Sequence, residues 1–299
     1  VNRLAALGVT RPNFLLLTPV CIALGVAAAL FSGQEIDWMA LWAIVLGGLM
    51  AHASVNALNE YVDFRSGLDF TTQRTPFSGG SGTLVTYPQL ASTALHIGII
   101  SLLITLLCGL YLMARSGWGL LPLGVLGALV ILFYSGPINR NPYLVLIAPG
   151  LGFGPLMVMG TEYGLTGQFS LVGGLVALAP FFQVSNLLYL NQFPDIQPDR
   201  AVGRNNFAIA LPDRPRANLY TLFGAAPYVI ILLAVLTGIL PPLSLLALLT
   251  LALFVPIARD VRQFAGDVQP LLPAMGKNVA LSLLTPLLLA LGLGLESLT

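Results

Sequence analysis

The chain has 299 residues, with 13 Lys and Arg against 12 Asp and Glu and a net charge of +1. Apolar residues make up 57% and charged residues 8%, against roughly a quarter charged in soluble proteins. That balance excludes a water-soluble fold, which has no way to hide so much apolar surface; membrane lipid is the expected partner, and nucleic acid is not.

Apolar runs long enough for the ~20 residues with which a helix crosses a bilayer recur near 13–32, 38–58, 90–114, 117–135, 143–163, 169–191, 217–239, 241–258 and 278–298. Only Ala114, Arg115, Ser116 and Gly117 split the third run from the fourth, and a break near Pro241 and Pro242 splits the seventh from the eighth. Each pair is predicted to form a tight helical hairpin. Transmembrane strands would alternate polar and apolar residues, whereas these runs are apolar all round. The predicted fold is therefore all-α: a polytopic membrane protein with nine transmembrane helices, a single domain over 1–299. Its parts are two four-helix halves (13–135 and 143–258) and a ninth helix (278–298). Cys21 and Cys108 fall inside spans and read as small buried hydrophobes. His52 and His96, also within spans, read as packed or interhelical hydrogen-bonding residues.

Basic loops stay in the cytoplasm. With nine spans, Arg3, Arg11, Arg65, Arg74, Arg140, Arg200, Arg204, Arg214, Arg216, Arg259, Arg262 and Lys277 share one side and Arg115 alone takes the other. The N-terminus and the large loops 59–89, 192–216 and 259–277 are thus predicted to be cytoplasmic, and the C-terminus to lie outside.

The second and sixth spans end alike. Leu58-Asn59-Glu60-Tyr61-Val62-Asp63-Phe64 and Leu190-Asn191-Gln192-Phe193-Pro194-Asp195-Ile196 share Leu-Asn, a Glu or Gln, an aromatic, a free position, Asp and an apolar residue. Each copy sits at the mouth of the second helix of a half, and membrane repeats place their sites where the halves meet. On a helix, Asn59 and Asp63 stack four apart along one face, as do Asn191, Asp195 and Asp199. Carboxylates crowded at a membrane helix end repel one another in the absence of a cation. Mg2+ is the expected partner: it takes oxygen ligands, uses one or two carboxylates and draws the rest of its shell from water and phosphate. Two such sites facing each other suit a diphosphate. Arg65, Arg74, Arg200 and Arg204 lie on the same two loops and are candidate phosphate ligands. The loop from Thr75 to Gly82, TPFSGGSG, is a candidate anion cradle or lid.

These residues resemble the UbiA superfamily of intramembrane aromatic prenyltransferases, over nearly the whole chain. NEYVDFRSGLD, from Asn59 to Asp69, is similar to the first Asp-rich motif of that family, and NQFPDIQPDRAVG, from Asn191 to Gly203, to the second. The gap between Asp63 and Asp69 and the run FGPLMVMGTEYGLTG, from Phe153 to Gly167, resemble the 1,4-dihydroxy-2-naphthoate prenyltransferase branch. The resemblance implies nine helices around a central cavity and two Mg2+ ions held by Asn59, Asp63, Asp69, Asn191, Asp195 and Asp199. It also implies a polyprenyl diphosphate whose tail leaves sideways into lipid, and an aromatic quinone-precursor acceptor. Asp63, Asp69, Asp195 and Asp199 then carry catalysis through an allylic carbocation, with Arg74 and Arg204 drawing charge onto the departing diphosphate. Aromatics such as Phe133, Tyr134, Phe153, Phe181 and Tyr189 would face the cation. Many relatives have a Tyr followed four residues later by Lys at the end of the fourth span. Here Tyr134 is followed by Ile138, and Arg140 is the nearest base, so Tyr134 and Arg140 join Asn59, Asn191 and the loop arginines as substrate-binding candidates. The resemblance also needs the first span, so Arg3, Arg11 and the Ala-rich end at Ala27 to Ala29 are not read as a cleaved leader. Two departures bear on the acceptor: Arg204-Asn205-Asn206-Phe207 replaces a basic residue and Thr, and Pro194 interrupts the second motif. A non-aromatic lipid acceptor is the alternative.

A cation-coupled secondary transporter would also use repeats and membrane acids, but it would hold them near the bilayer midplane. The acids here cluster at helix ends beside arginines. An alcohol phosphotransferase acting on lipid head groups would need a compact run of Asp and Gly on one helix pair, which this sequence lacks.

Overall fold

A computed structural model describes residues 3–297, with the backbone alone for Arg3 and Leu4. Among the described residues there are helices and turns and no strand. The apolar runs become α1 (Leu17–Phe31), α2 (Trp38–Ser66), α3 (Ala91–Ser116), α4 (Leu120–Phe133), α5 (Pro142–Thr166), α6 (Leu171–Asn191), α7 (Asp213–Leu236), α8 (Pro242–Phe264) and α9 (Val268–Glu296). Seven of them are long and apolar enough to cross a membrane. The other two, α1 and α4, are apolar but have 15 and 14 residues, short of the ~20 that a hydrocarbon core asks of a helix. Among the described residues, seven of the nine predicted crossings are thus helices of spanning length, and the other two predicted spans form shorter apolar helices.

Local chemistry sets where these helices begin and end. Asp37 caps α2 by accepting from the amides of Met39 and Ala40, Asn141 caps α5 ahead of Pro142, and Ser170 caps α6 by accepting from Gly173. Each cap satisfies amides that the first turn leaves without partners. At its far end α2 runs on to Ser66 instead of stopping near 58, and Gly67 ends it in a left-handed conformation (φ 82) that only glycine adopts cheaply. The last turns of α2 therefore carry Asn59, Glu60 and Asp63 clear of the apolar span.

The second motif departs from the expected helix. α6 ends at Asn191, the chain turns through 192–195, and a new short helix runs from Ile196 to Ala201. Pro194 has no amide to donate and its ring crowds the preceding turn. Phe193 instead donates to the Leu190 carbonyl (3.1 Å) and Asp195 to that of Gln192 (3.2 Å). Asn191, Asp195 and Asp199 consequently sit on three elements rather than along one face.

Neighbours in sequence pack against one another from α1 to α9, and α9 returns to α1, closing the bundle. The most enclosed of the seven full-length helices is α6, which touches α1, α5, α7 and α9. Its approach to α5 depends on small residues. A Cβ at Gly150 would lie 2.0 Å from the Phe181 carbonyl oxygen, and one at Gly154 would lie 2.4 Å from that of Ala177, so glycine lets the two backbones close up. Pro155 then widens α5 into a π-helix over Gly152–Met159 by removing an amide from its ladder. Between α6, α7, α8 and α9 the apolar packing is pinned by buried polar bonds: Tyr220 donates to Asn278 (2.8 Å), Asn186 to the Tyr220 carbonyl (3.0 Å), and Thr250 links Tyr228 and Thr285 (2.9 Å each). Such interhelical bonds contribute roughly 0.6 kcal/mol each on average.

Candidate active site

A cavity of about 770 Å3 opens where the two motifs meet. One end is lined by Asn59, Asp63, Asp69, Asn191, Asp195, Asp199 and Arg204, and the rest runs between α2, α3, α4 and α5 past Phe153, Leu156, Leu123 and Leu112. Head and tail of the cavity thus differ sharply in chemistry: oxygen and guanidinium at one end, hydrocarbon along the remainder.

The polar end is assembled from both halves of the chain. The last turns of α2 contribute Asn59 and Asp63, and the short helix Leu68–Thr71, entered through Gly67, contributes Asp69. The end of α6 contributes Asn191, the Pro194 turn Asp195, and the helix Ile196–Ala201 Asp199. Arg204 joins the halves. One terminal nitrogen donates to Asp199 Oδ1 at 3.0 Å and the other pairs with Asp63, which is 141 positions away in sequence. Asn206 donates to the second Asp199 oxygen at 3.3 Å while its own carbonyl caps Ile209. Asn59 donates to the Ser135 hydroxyl at 3.0 Å and accepts from Arg11 at 3.4 Å.

Burial of this many acids leaves its mark on their ionisation. Desolvation, reinforced by Asp63 and Glu60, pushes Asp69 up to about 7. Asp195 is pushed up to about 7 by desolvation and by Asp199, with Ser78 and the Gly79 amide pulling the other way. Asp199 is raised by desolvation in spite of Arg204. For Arg204, burial favours loss of the proton, but Asp63 and Asp199 outweigh it and hold the guanidinium above its ordinary value. The carboxyls are raised first by burial, to which neighbouring acids add at Asp69 and Asp195.

The donor set fits a hard cation. Asn191 Oδ1 and Asp195 Oδ1 are buried without a hydrogen-bond partner, and an acceptor left so in a membrane protein is expensive unless a donor or cation reaches it. Oxygens of carboxylate and carboxamide are the ligands Mg2+ prefers. Among the described residues no three Asp, Glu, His or Cys side chains converge into a protein-only metal cage.

Not every predicted site residue is here. Asn59, Asp63, Asp69, Tyr134, Asn191, Asp195, Asp199 and Arg204 line the cavity; Arg65, Arg74, Arg140 and Arg200 do not, and all four are exposed. Two positions past Asp63, Arg65 lies on the outer face of α2. Arg74 is spent on the Ser81 carbonyl, and Arg200 donates to that of Ile209 (3.4 Å). At the turn after Tyr134 it is Asn139, not Arg140, that turns inward, accepting at its carbonyl from the Asn205 amide (2.9 Å). Phe153 and Tyr134 reach the cavity, whereas Phe133, Phe181 and Tyr189 do not line it; Tyr189 is buried and donates to the Arg216 carbonyl. His52 bonds to Thr18 across α1 and α2 at 2.9 Å, as expected of an interhelical histidine. Sequence reading missed Arg11, Glu60, Asn139 and Asn206. Of these only Glu60 left a signal, an acid in the first copy of the motif where the second has Gln192.

A helical bundle closed on itself, with acids from two related motifs at one end of an otherwise apolar cavity, has the architecture of an intramembrane enzyme. Residues 16–267 match the UbiA prenyltransferase family, and the chain belongs to that family and is a prenyltransferase. It is 26% identical over 267 residues to a 1,4-dihydroxy-2-naphthoate octaprenyltransferase of Bacillus subtilis, an alignment covering 88% of this chain and 82% of the relative. In fold it is similar to the apo structure of a UbiA homologue from Aeropyrum pernix K1, with a TM-score of 0.71 at 16% identity over 93% of this chain and 97% of that one. A UbiA homologue from Archaeoglobus fulgidus bound to DMAPP and Mg2+ gives a TM-score of 0.67 at 15% identity, over 95% and 98% of the two chains.

Proposed function

We propose that this enzyme moves a prenyl chain from a polyprenyl diphosphate onto an aromatic quinone precursor within the membrane, in a Mg2+-dependent reaction that passes through an allylic carbocation. The observation that carries the proposal is the single cavity with an acid-and-arginine end and an apolar remainder. The name of the B. subtilis relative supports a naphthoate acceptor, and the A. fulgidus structure supports a prenyl diphosphate together with Mg2+.

Asn59, Asp63 and Asp69 on one side and Asn191, Asp195 and Asp199 on the other would hold two Mg2+ ions. When bound, Mg2+ neutralises the diphosphate and makes it a better leaving group. The chain's own residues do the rest. Arg204 already spans the two halves, and its guanidinium pairs as readily with phosphate oxygens as with carboxylates. Arg11, beside Asn59, adds a second positive charge at the same end. The apolar walls keep out water that would otherwise capture the carbocation, and the faces of Phe153 and Tyr134 can stabilise it. The carbon–oxygen bond breaks first, its electron pair leaving with the diphosphate; the acceptor ring then attacks the allylic cation so formed and loses its ring proton.

The carboxylate end and the N-terminus are proposed to face the cytoplasm and the C-terminus the outside. The pairing of Arg115 with Asp37 at the opposite end of α2 from Asp63 supports this by keeping the one odd arginine away from the others. The direct test of function is incubation of purified protein with Mg2+, geranylgeranyl diphosphate and a panel of naphthoate, hydroxybenzoate, homogentisate and lipid alcohols, read by mass spectrometry. A prenylated naphthoate is expected. Products from lipid alcohols alone would overturn the aromatic acceptor, and no product from any would overturn the reaction.

A further inference from the structure

We infer that Glu60, although it stands within the first acidic motif, is a positioning residue that fastens the glycine-rich loop 75–82 across the polar mouth of the cavity. Glu60 is 1% exposed, and its carboxylate is already saturated. Oε1 accepts from the Ser81 amide at 2.6 Å and from Arg11 Nε at 2.8 Å, with a second Arg11 nitrogen at 2.7 Å; Oε2 accepts from the Ser81 hydroxyl at 2.8 Å. A carboxylate has about four lone-pair sites, so this one has little left for a cation. Asn191 Oδ1 and Asp195 Oδ1, which are buried without a hydrogen-bond partner, are the opposite case.

Two backbone features show how strongly the tether is specified. Among the described residues Arg11 is the one non-glycine with positive φ, at 50°, a conformation that an L-residue holds only when its surroundings insist. The segment before it is tied to α2 by Asn56, which donates to the Thr10 carbonyl at 2.9 Å. Beyond Ser81, the loop itself passes so close over the acids that a Cβ at Gly80 (φ 72) would lie 3.1 Å from Asp69 Oδ1 and 3.2 Å from Glu60 Oε1. Ser78, Gly79 and Gly80 line the cavity as a result. The tether at Ser81 therefore sets where this stretch of backbone meets the head group, a consequence that rests on the proposed diphosphate substrate.

Trypsin tests the tether without any turnover. Arg74 is exposed on the loop, and cleavage after it requires local opening; cleavage after exposed Arg140, on another loop, serves as internal reference. In metal-free protein, Glu60→Ala should raise the ratio of Arg74 to Arg140 cleavage by roughly 10- to 100-fold, the weight of one or two charge-assisted hydrogen bonds. Ser81→Ala keeps the amide bond to Glu60, so it should raise the ratio less, and the double variant should exceed Glu60→Ala little. With geranylgeranyl diphosphate and Mg2+, the KM should climb in the same order while kcat falls by less than about threefold. An unchanged cleavage ratio in Glu60→Ala would overturn the inference, as would a loss of Mg2+ affinity without loop opening, which would make Glu60 a metal ligand. Should Glu60→Ala not fold, Ser81→Ala alone decides by the same ratio. Loop opening in a protein that fails to bind geranylgeranyl diphosphate would keep the tether and reject the proposed reaction instead.

Discussion

Replacing Arg204 by Ala probes the junction of the two halves. In the metal-free protein Arg204 makes two charge-assisted contacts, one to Asp199 at 3.0 Å and one to Asp63, and the three side chains are 19%, 4% and 9% exposed. Hydrogen bonds to charged groups contribute ~1.5–3 kcal/mol each, which gives an upper figure of about 6 kcal/mol for the pair. Two effects reduce it: residual water screens the exposed part of the guanidinium, and Asp199, already raised, can take up a proton once the arginine has gone. A loss of about 3 kcal/mol is expected, in keeping with removal of one partner from a buried ion pair. At ~2 °C per kcal/mol for a chain of this size, that is a fall of about 6 °C in Tm, read by thermal unfolding in detergent with chelator. Mg2+ should recover more than half of the deficit, because the cation would take over the neutralisation that Arg204 supplied. Equal losses in chelator and in Mg2+ would mean that Arg204 holds the scaffold rather than a charge the cation can replace, and no loss at all would refute the bridge.

Asp63→Asn and Asp195→Asn should each lower turnover by several orders of magnitude, and the double variant should be little worse than the poorer single one, since residues that act as a unit are not additive; additive losses in a Mg2+ titration would rule out one shared diphosphate site. For Asp69 and Asp195, the folded pKa of about 7 lies above the ~3.9 of an unfolded Asp. The native state thus binds more protons, so their stabilising share in metal-free protein is complete below about pH 4 and lost as pH rises toward 7. Tm in chelator should fall across that interval and more gently in Asp195→Asn; a Tm that rose would contradict the burial of these acids. Gln34→Cys and Gln73→Cys, both at exposed positions, should react with an impermeant thiol reagent from outside and from the cytoplasmic side respectively, and the reverse pattern would invert the proposed orientation.

Hydropathy was enough to find the helices because each apolar run is longer than any competing pattern in this chain. It was weaker on their lengths: the tight hairpin turns consume residues at both ends of α4, and α1 yields its first residues to a turn that lets Arg11 reach α2. The paired motifs made Asn59, Asp63, Asn191 and Asp195 legible because repetition at matching helix ends is improbable by chance. What they concealed was the break at Pro194. A spacing of four residues carries the same message on a helix and across a turn, and only the missing amide of proline distinguishes them. The arginines were the least legible. Arg204 meets Asp63 across 141 positions and Arg11 meets Glu60 across 49, whereas Arg65 and Arg200, adjacent to the motifs, point outward. Proximity in sequence ranks such residues poorly, because the direction of a side chain at a helix end is set by the turn that follows.

The charge balance of the polar end gives an independent reason to expect a cation. Glu60, Asp63, Asp69, Asp195 and Asp199 gather there with Arg11 and Arg204 as their partners. Glu60 is satisfied by Arg11 and the loop, and Arg204 divides one positive charge between Asp63 and Asp199. Asp69 and Asp195 are left without a matching base, which is why burial moves them furthest among the acids outside the spans. Protonation relieves the excess only in the empty protein. The proposed diphosphate would bring several further negative charges into the same low-dielectric space, where repulsion is strong, and the two arginines could not offset both sets at once. If Arg204 turns to phosphate it abandons Asp63 and Asp199; if it stays, the phosphate meets bare carboxylates. On the proposed function, divalent cations held by these acids would supply the missing positive charge, and Arg204 would then be free to pair with the leaving group. On that proposal the acids and the arginine are parts of one arrangement, in which the guanidinium that bridges Asp63 and Asp199 in the empty site would also help to hold the substrate.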